Sequence, residues 1–188
     1  ETVAVQGALN DFIVYLRRGF IKEVYTTPTQ QPIITQLIKP RAYLGLSTKF
    51  NNEKNQFTHV AVEESEVCFI NRKAFIELIK KNGRFAYEIL QTISHEDTHN
   101  FKRCYTLNTK QIFGRFADIL IYLMDTVYEN EAFTIPLSRS ELATLIGTSR
   151  ESATRTLYKL QEENIIDLDK KNIRILDRSK LEKISRSG

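Results

Sequence analysis

Two stretches of this 188-residue chain carry side chains whose types and spacing could do chemistry. The first is His95-Glu96-Asp97-Thr98-His99, a literal HExxH. Its histidines fall one helical turn apart and could hold zinc, with Glu96 as the base for peptide hydrolysis. Against that stand charged Asp97, at a position normally apolar in such helices, and the lack of a downstream Gly-His pattern for a third ligand. Glu129 and Glu131 are the nearby downstream acidic candidates, and neither sits in a motif. The second stretch holds Arg150, Glu151 and Arg155, with Lys170 and Lys171 beyond. Arginine can grip O6 and N7 of guanine in a bidentate pair, and glutamate can accept from the N4 amino group of cytosine. Lysines on phosphate add affinity and salt dependence but no sequence information. This second chemistry is the reading of double-stranded DNA.

Such readers need a frame, and Ser138 to Leu176 supplies one. Ser138 can cap a helix with Glu141 three residues on, and Leu142, Leu145 and Ile146 follow at helical spacing. Gly147 provides the left-handed stop, and Ser149 can cap a second helix from Arg150 to Asn164. Burying Ala153, Leu157 and Leu160 leaves Arg150, Glu151, Thr154, Arg155 and Tyr158 or Lys159 outside. Two helices joined by so short a turn form a helix-turn-helix, whose second helix enters the major groove. Ile165 to Leu168 and Ile173 to Leu176 flank Asp169-Lys170-Lys171-Asn172 and predict a hairpin wing with a basic tip. A final short helix is expected over Arg178 to Ile184.

Upstream, the grammar is of strands. Thr2 to Val5, Phe12 to Leu16, Phe20 to Tyr25, Ile33 to Ile38, His59 to Glu63 and Glu66 to Ile70 are rich in Val, Ile, Phe and Tyr. Gly19, Pro28, Pro32, Pro40, Gly45 and the Asn51-Asn52 turn separate them, which predicts a sandwich or small barrel. Asn71 can cap a helix carrying Phe75, Ile76, Leu78 and Ile79, which Asn82-Gly83 then stops. From Arg84 to about Leu107 no Pro or Gly intervenes, and Phe85, Ile89, Ile93, Asn100 and Leu107 fall near one face. A helix of about 36 Å exceeds what a small sandwich needs as cover, so a partner helix is expected. Thr106 to Gln111 is the expected hinge. Ile112 to Tyr128 then forms a helix with a broad apolar face that includes Phe113, Phe116, Leu120 and Leu123, and Phe133 to Leu137 is at most an edge strand because of Pro136.

Composition agrees without deciding. Lysine plus arginine number 27 against 23 acidic residues, a net +4 that permits a polyanionic partner. No stretch of apolar residues is long enough for a membrane span, and the start does not follow a signal-peptide pattern. Cys68 and Cys104 are too far apart for a CxxC motif, which favours a reducing, cytoplasmic setting, and both are expected to pack; His59 is expected as a hydrogen-bonded strand residue. A chain that opens inside a strand-like run without Met is expected to lack the beginning of its first domain.

Leu-Ser-Arg-Ser-Glu-Leu-Ala from Leu137, Gly-Thr-Ser-Arg-Glu-Ser-Ala-Thr-Arg from Gly147, and the wing resemble the DNA-binding domain of the cyclic-AMP receptor protein and fumarate-nitrate reduction regulator (Crp/Fnr) family. Phe113-Gly114-Arg115-Phe116-Ala117 resembles that family's helix after the hinge, and Ala61 to Val67 the closing strands of its effector barrel. The resemblance implies an α+β chain in three parts. Residues 1–83 would be a cyclic-nucleotide-binding-like β-barrel of jelly-roll type, 84–110 the dimerisation helix and hinge, and 111–188 the winged helix-turn-helix. It further implies a non-enzymatic, homodimeric transcription regulator with DNA and RNA polymerase as partners. Arg150, Glu151 and Arg155 would read palindromic TGTGA-like half-sites. Ser138, Arg139, Ser140, Ser149 and Ser152 match family positions near phosphates, beside Lys170 and Lys171 on the wing.

The effector cassette departs from the family. Its Gly-Glu pair for the ribose is Gly45-Leu46 here, and its arginine for the cyclic phosphate has no counterpart around Asn55-Gln56-Phe57, with no arginine between Arg41 and Arg72. A buried phosphate without its cation is costly. Cyclic AMP is therefore not expected, and Gly45, Leu46, Gln56, His99 and Asn100 are the candidate pocket for some other effector. Two cysteines also cannot supply four thiolates for an iron-sulfur cluster. No cofactor and no metal are expected, with His95 and His99 as the residues a metal would take. The alternatives to an effector-controlled regulator are the zinc peptidase of His95, Glu96 and His99, or a ligand-independent DNA binder with a scaffold barrel.

Overall fold

The computed structural model describes residues 1–29, 32–50 and 53–188, so the expected Asn51-Asn52 turn lies outside the described residues. The chain divides into two compact units, Glu1–Lys102 and Arg103–Gly188.

In the first unit the strands are β1 (Thr2–Ala4), β2 (Phe12–Arg18), β3 (Ile21–Thr26), β4 (Pro32–Ile38), β5 (Ala42–Tyr43), β6 (Thr58–Ala61) and β7 (Glu66–Asn71). They form two antiparallel sheets, in the orders β1-β6-β3-β4 and β5-β2-β7. Alternation along β2 explains how these layers are filled. Val14 and Leu16 join Ile21, Ile38 and Leu44 in one buried cluster. Ile13 points to the other face and joins Leu46, Phe75 and Ile89. Sequence pattern missed β5 and the 3-10 turn at Leu46–Thr48, because two or three residues are too few to show a period.

Helix α1 (Arg72–Lys81) begins as expected, with the Asn71 side chain accepting from the Ala74 N–H. Its end differs from expectation. Asn82 is extended, and its Oδ1 accepts from the Phe85 N–H at 3.0 Å. Gly83 is thus the first residue of α2 (Gly83–Thr109), and Asn82 closes one helix while capping the next. Helix α2 has 27 residues and spans the boundary between the units. Phe85, Ile89 and Ile93 pack into the cluster around Ile13 and Leu46, so the N-terminal part of the face expected to meet a partner covers the chain's own sheet. A different α2 face is bare: Tyr87, Leu90, Phe101 and Tyr105 are exposed and fall within one stripe at helical spacing. Cys104 is exposed as well, contrary to the packing role expected of it, and Cys68 is half-buried. Among the described residues, no helix is long and apolar enough to cross a membrane.

The second unit takes α2 past Arg103 and adds α3 (Ile112–Tyr122), β8 (Ala132–Thr134), α4 (Arg139–Ile146), α5 (Arg150–Glu162), β9 (Ile166–Asp169), β10 (Asn172–Ile175) and α6 (Arg178–Ser187). The expected helix over Ile112 to Tyr128 continues beyond α3 as a π turn at Leu123–Val127. Phe116, Leu120 and Leu123 from this helix meet the interior with Leu142, Leu157, Leu160 and Leu181 from the others. The strands form one antiparallel sheet in the order β8-β10-β9, with β8 at an edge, as Pro136 predicts.

Candidate nucleic-acid interface

Local sequence sets the start of each helix at the interface. Ser138 Oγ accepts from the Glu141 N–H at 3.2 Å, and Glu141 Oε2 accepts in return from the Ser138 N–H at 2.8 Å. This reciprocal cap ties off two backbone donors that α4 could not satisfy internally. Gly147 sits at φ 68°, where a side chain is strained, and a Cβ there would lie 3.1 Å from Leu107 Cδ2. Ser149 Oγ then accepts from the Ser152 N–H at 3.2 Å and starts α5.

Helix α5 buries Ala153, Leu157 and Leu160 and leaves Arg150, Glu151 and Arg155 exposed, the division read from the sequence. Positions 150, 151, 154, 155 and 158 share one face of about two turns. Arg155 Nη2 donates to Ser152 Oγ at 3.3 Å, and Thr154 Oγ1 bonds back to the Arg150 carbonyl. The Glu151 carboxyl is held below its ordinary range by its own backbone N–H, then by the Ser149 hydroxyl, with Arg150 and Arg155 adding to the effect. In neutral solution it is ionised and acts only as an acceptor. The wing pairs Asn172 with Asp169, which leaves Lys170 and Lys171 as its exposed two-residue tip. Lys170 has φ 55°. Arg139 reaches across from α4 and donates to the Lys170 carbonyl at 2.5 Å, tying the wing tip to the N-terminus of that helix. Ser140 is exposed on the first turn of α4.

The structure also holds this turn from behind, through residues to which the sequence pattern gave no role. Arg115 donates to the Lys110, Ile146 and Gly147 carbonyls, and Arg103 to that of Leu145. The expected hinge, Thr106 to Gln111, is mostly helical, and α2 runs to Thr109 before Gln111 starts α3. Lys110 is fixed there by Asp118, at 2.7 Å and 2.8 Å, and by the Ser185 carbonyl.

In the first unit the candidate effector residues have varied surroundings. Gly45 is left-handed at φ 57°, Leu46 is fully buried in the core, and Gln56 donates to the Lys54 carbonyl in its own loop. His99 and Asn100 are exposed on α2. The buried polar group nearby is another one. His59 Nε2 lies 3.1 Å from Glu23 Oε2, with the two side chains 3% and 5% exposed. Thr35 Oγ1 and Gln36 Nε2 donate to Glu23 Oε1. His59 is thus a hydrogen-bonded strand residue, as expected, and its Nδ1 has no hydrogen-bond partner among the described residues. Glu96 faces this region rather than a metal between His95 and His99. Burial first, and the Glu23 carboxylate second, push its carboxyl up to about 7 against the opposing Ser47 N–H. Among the described residues no three His, Cys, Asp or Glu side chains gather closely enough to hold a metal, so the HExxH pattern lacks the third ligand its chemistry needs.

Comparison with known proteins agrees with this geometry. Residues 1–82 match the cyclic nucleotide-binding domain, and residues 114–184 the Crp-like helix-turn-helix domain. The transcriptional activator protein FnrA of Stutzerimonas stutzeri is 25% identical over 181 residues, covering 94% of this chain and 74% of that protein. The cyclic AMP receptor protein of Thermus thermophilus is 23% identical over 185 residues, covering 98% and 84%. The fold is similar to that of FixK2 from Bradyrhizobium japonicum, with a TM-score of 0.89 at 15% identity over 100% of this chain and 94% of that one. The peptidase alternative falls with this result, since the matched relatives are regulators and the HExxH glutamate serves the sheet domain. An effector-type sheet domain followed by a helix-turn-helix, in that order along one chain, is the arrangement of a DNA-binding regulator: the protein belongs to the Crp/Fnr family of transcription regulators.

Proposed function

We propose that the chain works as a homodimer that reads palindromic TGTGA-like half-sites, under control of an effector other than cyclic AMP. The observation that carries the reading is α5: Arg150, Glu151 and Arg155 stand exposed on a helix whose start is fixed by Ser149 and whose opposite face is buried. Ser138, Arg139, Ser140, Ser149 and Ser152 at the starts of α4 and α5, with Lys170 and Lys171, are the phosphate-facing set. Lys170 takes a left-handed backbone conformation, where glycine would be unstrained, and so places a cation at the very tip of the wing. The bare stripe of Tyr87, Leu90, Phe101 and Tyr105 on α2 supports dimerisation through that helix. Two copies would then present recognition helices about 34–36 Å apart. RNA polymerase as partner and a cytoplasmic location belong to the same reading.

The first unit does not fit a cyclic phosphate. Arg72 donates to the Lys49 and Phe50 carbonyls, and the Lys49 ammonium is 2.6 Å from Asn55 Oδ1. Glu23 and Glu96 are carboxyls where an anion would need cations. Leu46, at the ribose-holding position, is committed to the core.

The test is a selection from random duplexes followed by anisotropy titration and sedimentation of the complex. Two chains per palindromic duplex with TGTGA-like halves, and no response to cyclic AMP, are expected. Recovery of unrelated or non-palindromic sequences, or binding as a monomer, would refute the reading; tightening of DNA binding by cyclic AMP would refute the effector assignment.

A further inference from the structure

The turn between α4 and α5 is gripped by two guanidinium groups from outside both helices. A helix leaves its last carbonyls without intrahelical donors, and each must find one elsewhere. The Gly147 N–H goes to Thr144 at 3.3 Å and the Thr148 N–H to Ala143 at 2.9 Å. The next three carbonyls are served by arginine. Arg103 Nη2 donates to Leu145 O at 3.1 Å, and Arg115 Nη1 to Ile146 O at 3.4 Å and Gly147 O at 3.1 Å. Cations at this end also meet the negative pole of the helix.

The two arginines come from different elements. Arg115 belongs to α3 and is anchored through its Nε to the Lys110 carbonyl at 2.8 Å. Arg103 belongs to α2, one turn before Leu107, whose Cδ2 fills the space beside Gly147. The final turns of α2 therefore lay a cation and an apolar side chain on the turn. Two residues after Gly147, Ser149 sets where α5 begins.

We propose that Arg103 is a positioning residue for DNA recognition: by holding the Leu145 carbonyl, it makes the setting of α5 follow the end of α2. The proposal rests on the DNA-reading role of α5. Arg103 is not among the phosphate or base contacts, so its loss acts through the turn. With the Leu145 bond gone, Arg115 holds the turn from α3, and the end of α2 keeps only the apolar packing of Leu107, which fixes no hydrogen-bond register between α2 and α5.

The experiment compares Arg103→Met, which keeps the aliphatic stem, with Arg103→Lys, which keeps a donor, both in the full chain. Arg103→Met is expected to weaken binding to the selected palindrome about tenfold, the low end for losing a charged hydrogen bond. Binding to random duplex and its salt slope should stay as in wild type, and Arg103→Lys should recover most of the specific loss. Equal losses on both duplexes would make Arg103 a phosphate contact and overturn the proposal, as would unchanged specific binding or failure of the lysine variant to rescue. A DNA-free readout separates this from failure of the DNA reading. Amide exchange at Gly147 and Thr148 in the unliganded chain should accelerate in Arg103→Met and not in Arg103→Lys, and exchange that is identical in both variants and wild type would overturn the positioning role whatever the chain binds.

Discussion

The two units differ in what they bury. The buried polar or charged side chains among the described residues are Asn10, Glu23, Lys49 and His59, all in the first unit, whereas the buried residues of the second are apolar or glycine. In the second unit the informative charges, Arg150, Glu151, Arg155, Lys170 and Lys171, are exposed on α5 and the wing. A surface charge can be exchanged at little cost to folding, while a buried one commits its neighbours to satisfying it. The second unit thus carries its charged groups over an apolar core, whereas the first commits buried polar groups to one another.

The largest expected effect tests that interior directly. Glu23→Ala removes the acceptor for His59, Thr35 and Gln36 at once. A buried polar group left without its hydrogen-bond partner costs about 1–3 kcal/mol, and here several lose theirs together. Calorimetry should show the loss in the transition of the first unit, with that of the second unmoved. A cost below about 1 kcal/mol would mean that the buried polarity is not structural, and the contrast between the units would lose its basis.

The same contrast explains what could be read from the sequence. The helix-turn-helix was legible because its determinants are neighbours along the chain: Ser138 with Glu141, Gly147 as the stop, Ser149 with Ser152, and a three-residue apolar face in α5. Periodicity and capping rules see such spacings. Glu23 and His59 are 36 residues apart, Arg103 and Leu145 are 42 apart, and Arg115 and Ile146 are 31 apart. No local rule pairs them, because the fold alone brings them together. The face of α2 was misassigned for a related reason. Its apolar positions are of two kinds, Phe85, Ile89 and Ile93 against the sheet and Tyr87, Leu90, Phe101 and Tyr105 outside, and a single-stripe reading finds the first. The absent arginine between Arg41 and Arg72 was legible at once, since a missing residue type needs no contact map.

On the exposed side, the prediction is a split between two variants. Arg155→Ala should cost about 1–3 kcal/mol per half-site and relax preference at the base pair it reads. Lys170→Ala should weaken specific and random duplexes alike and reduce the salt slope by about one. Neither change should move thermal stability by more than about 0.5 kcal/mol, since both side chains are exposed. Equal behaviour of the two variants on both duplexes would erase the division between reading and anchoring residues.

The smallest effect falls where the two patterns meet, at Glu96, a half-buried carboxyl on the long helix. Its carboxyl titrates at about 7 in the folded chain, raised first by burial and then by Glu23, against an ordinary value of 4.5. Between those two values the folded state holds a proton that the unfolded state has released. Stability from this group is therefore highest below pH 4.5, falls as pH rises from there to about 7, and is level above. Partial exposure screens the penalty, which we expect to be on the order of 1 kcal/mol. Glu96→Gln removes the titration while keeping the shape and a donor. The variant should match wild type at acidic pH and exceed it increasingly up to pH about 7, when the melting of the first unit is followed across that range. Parallel curves for the two proteins would show that Glu96 ionises freely in water, and would confine the buried polarity of the first unit to its strands and loops. A divergence confined to that window would instead extend the polarity onto α2, the one helix that both units share.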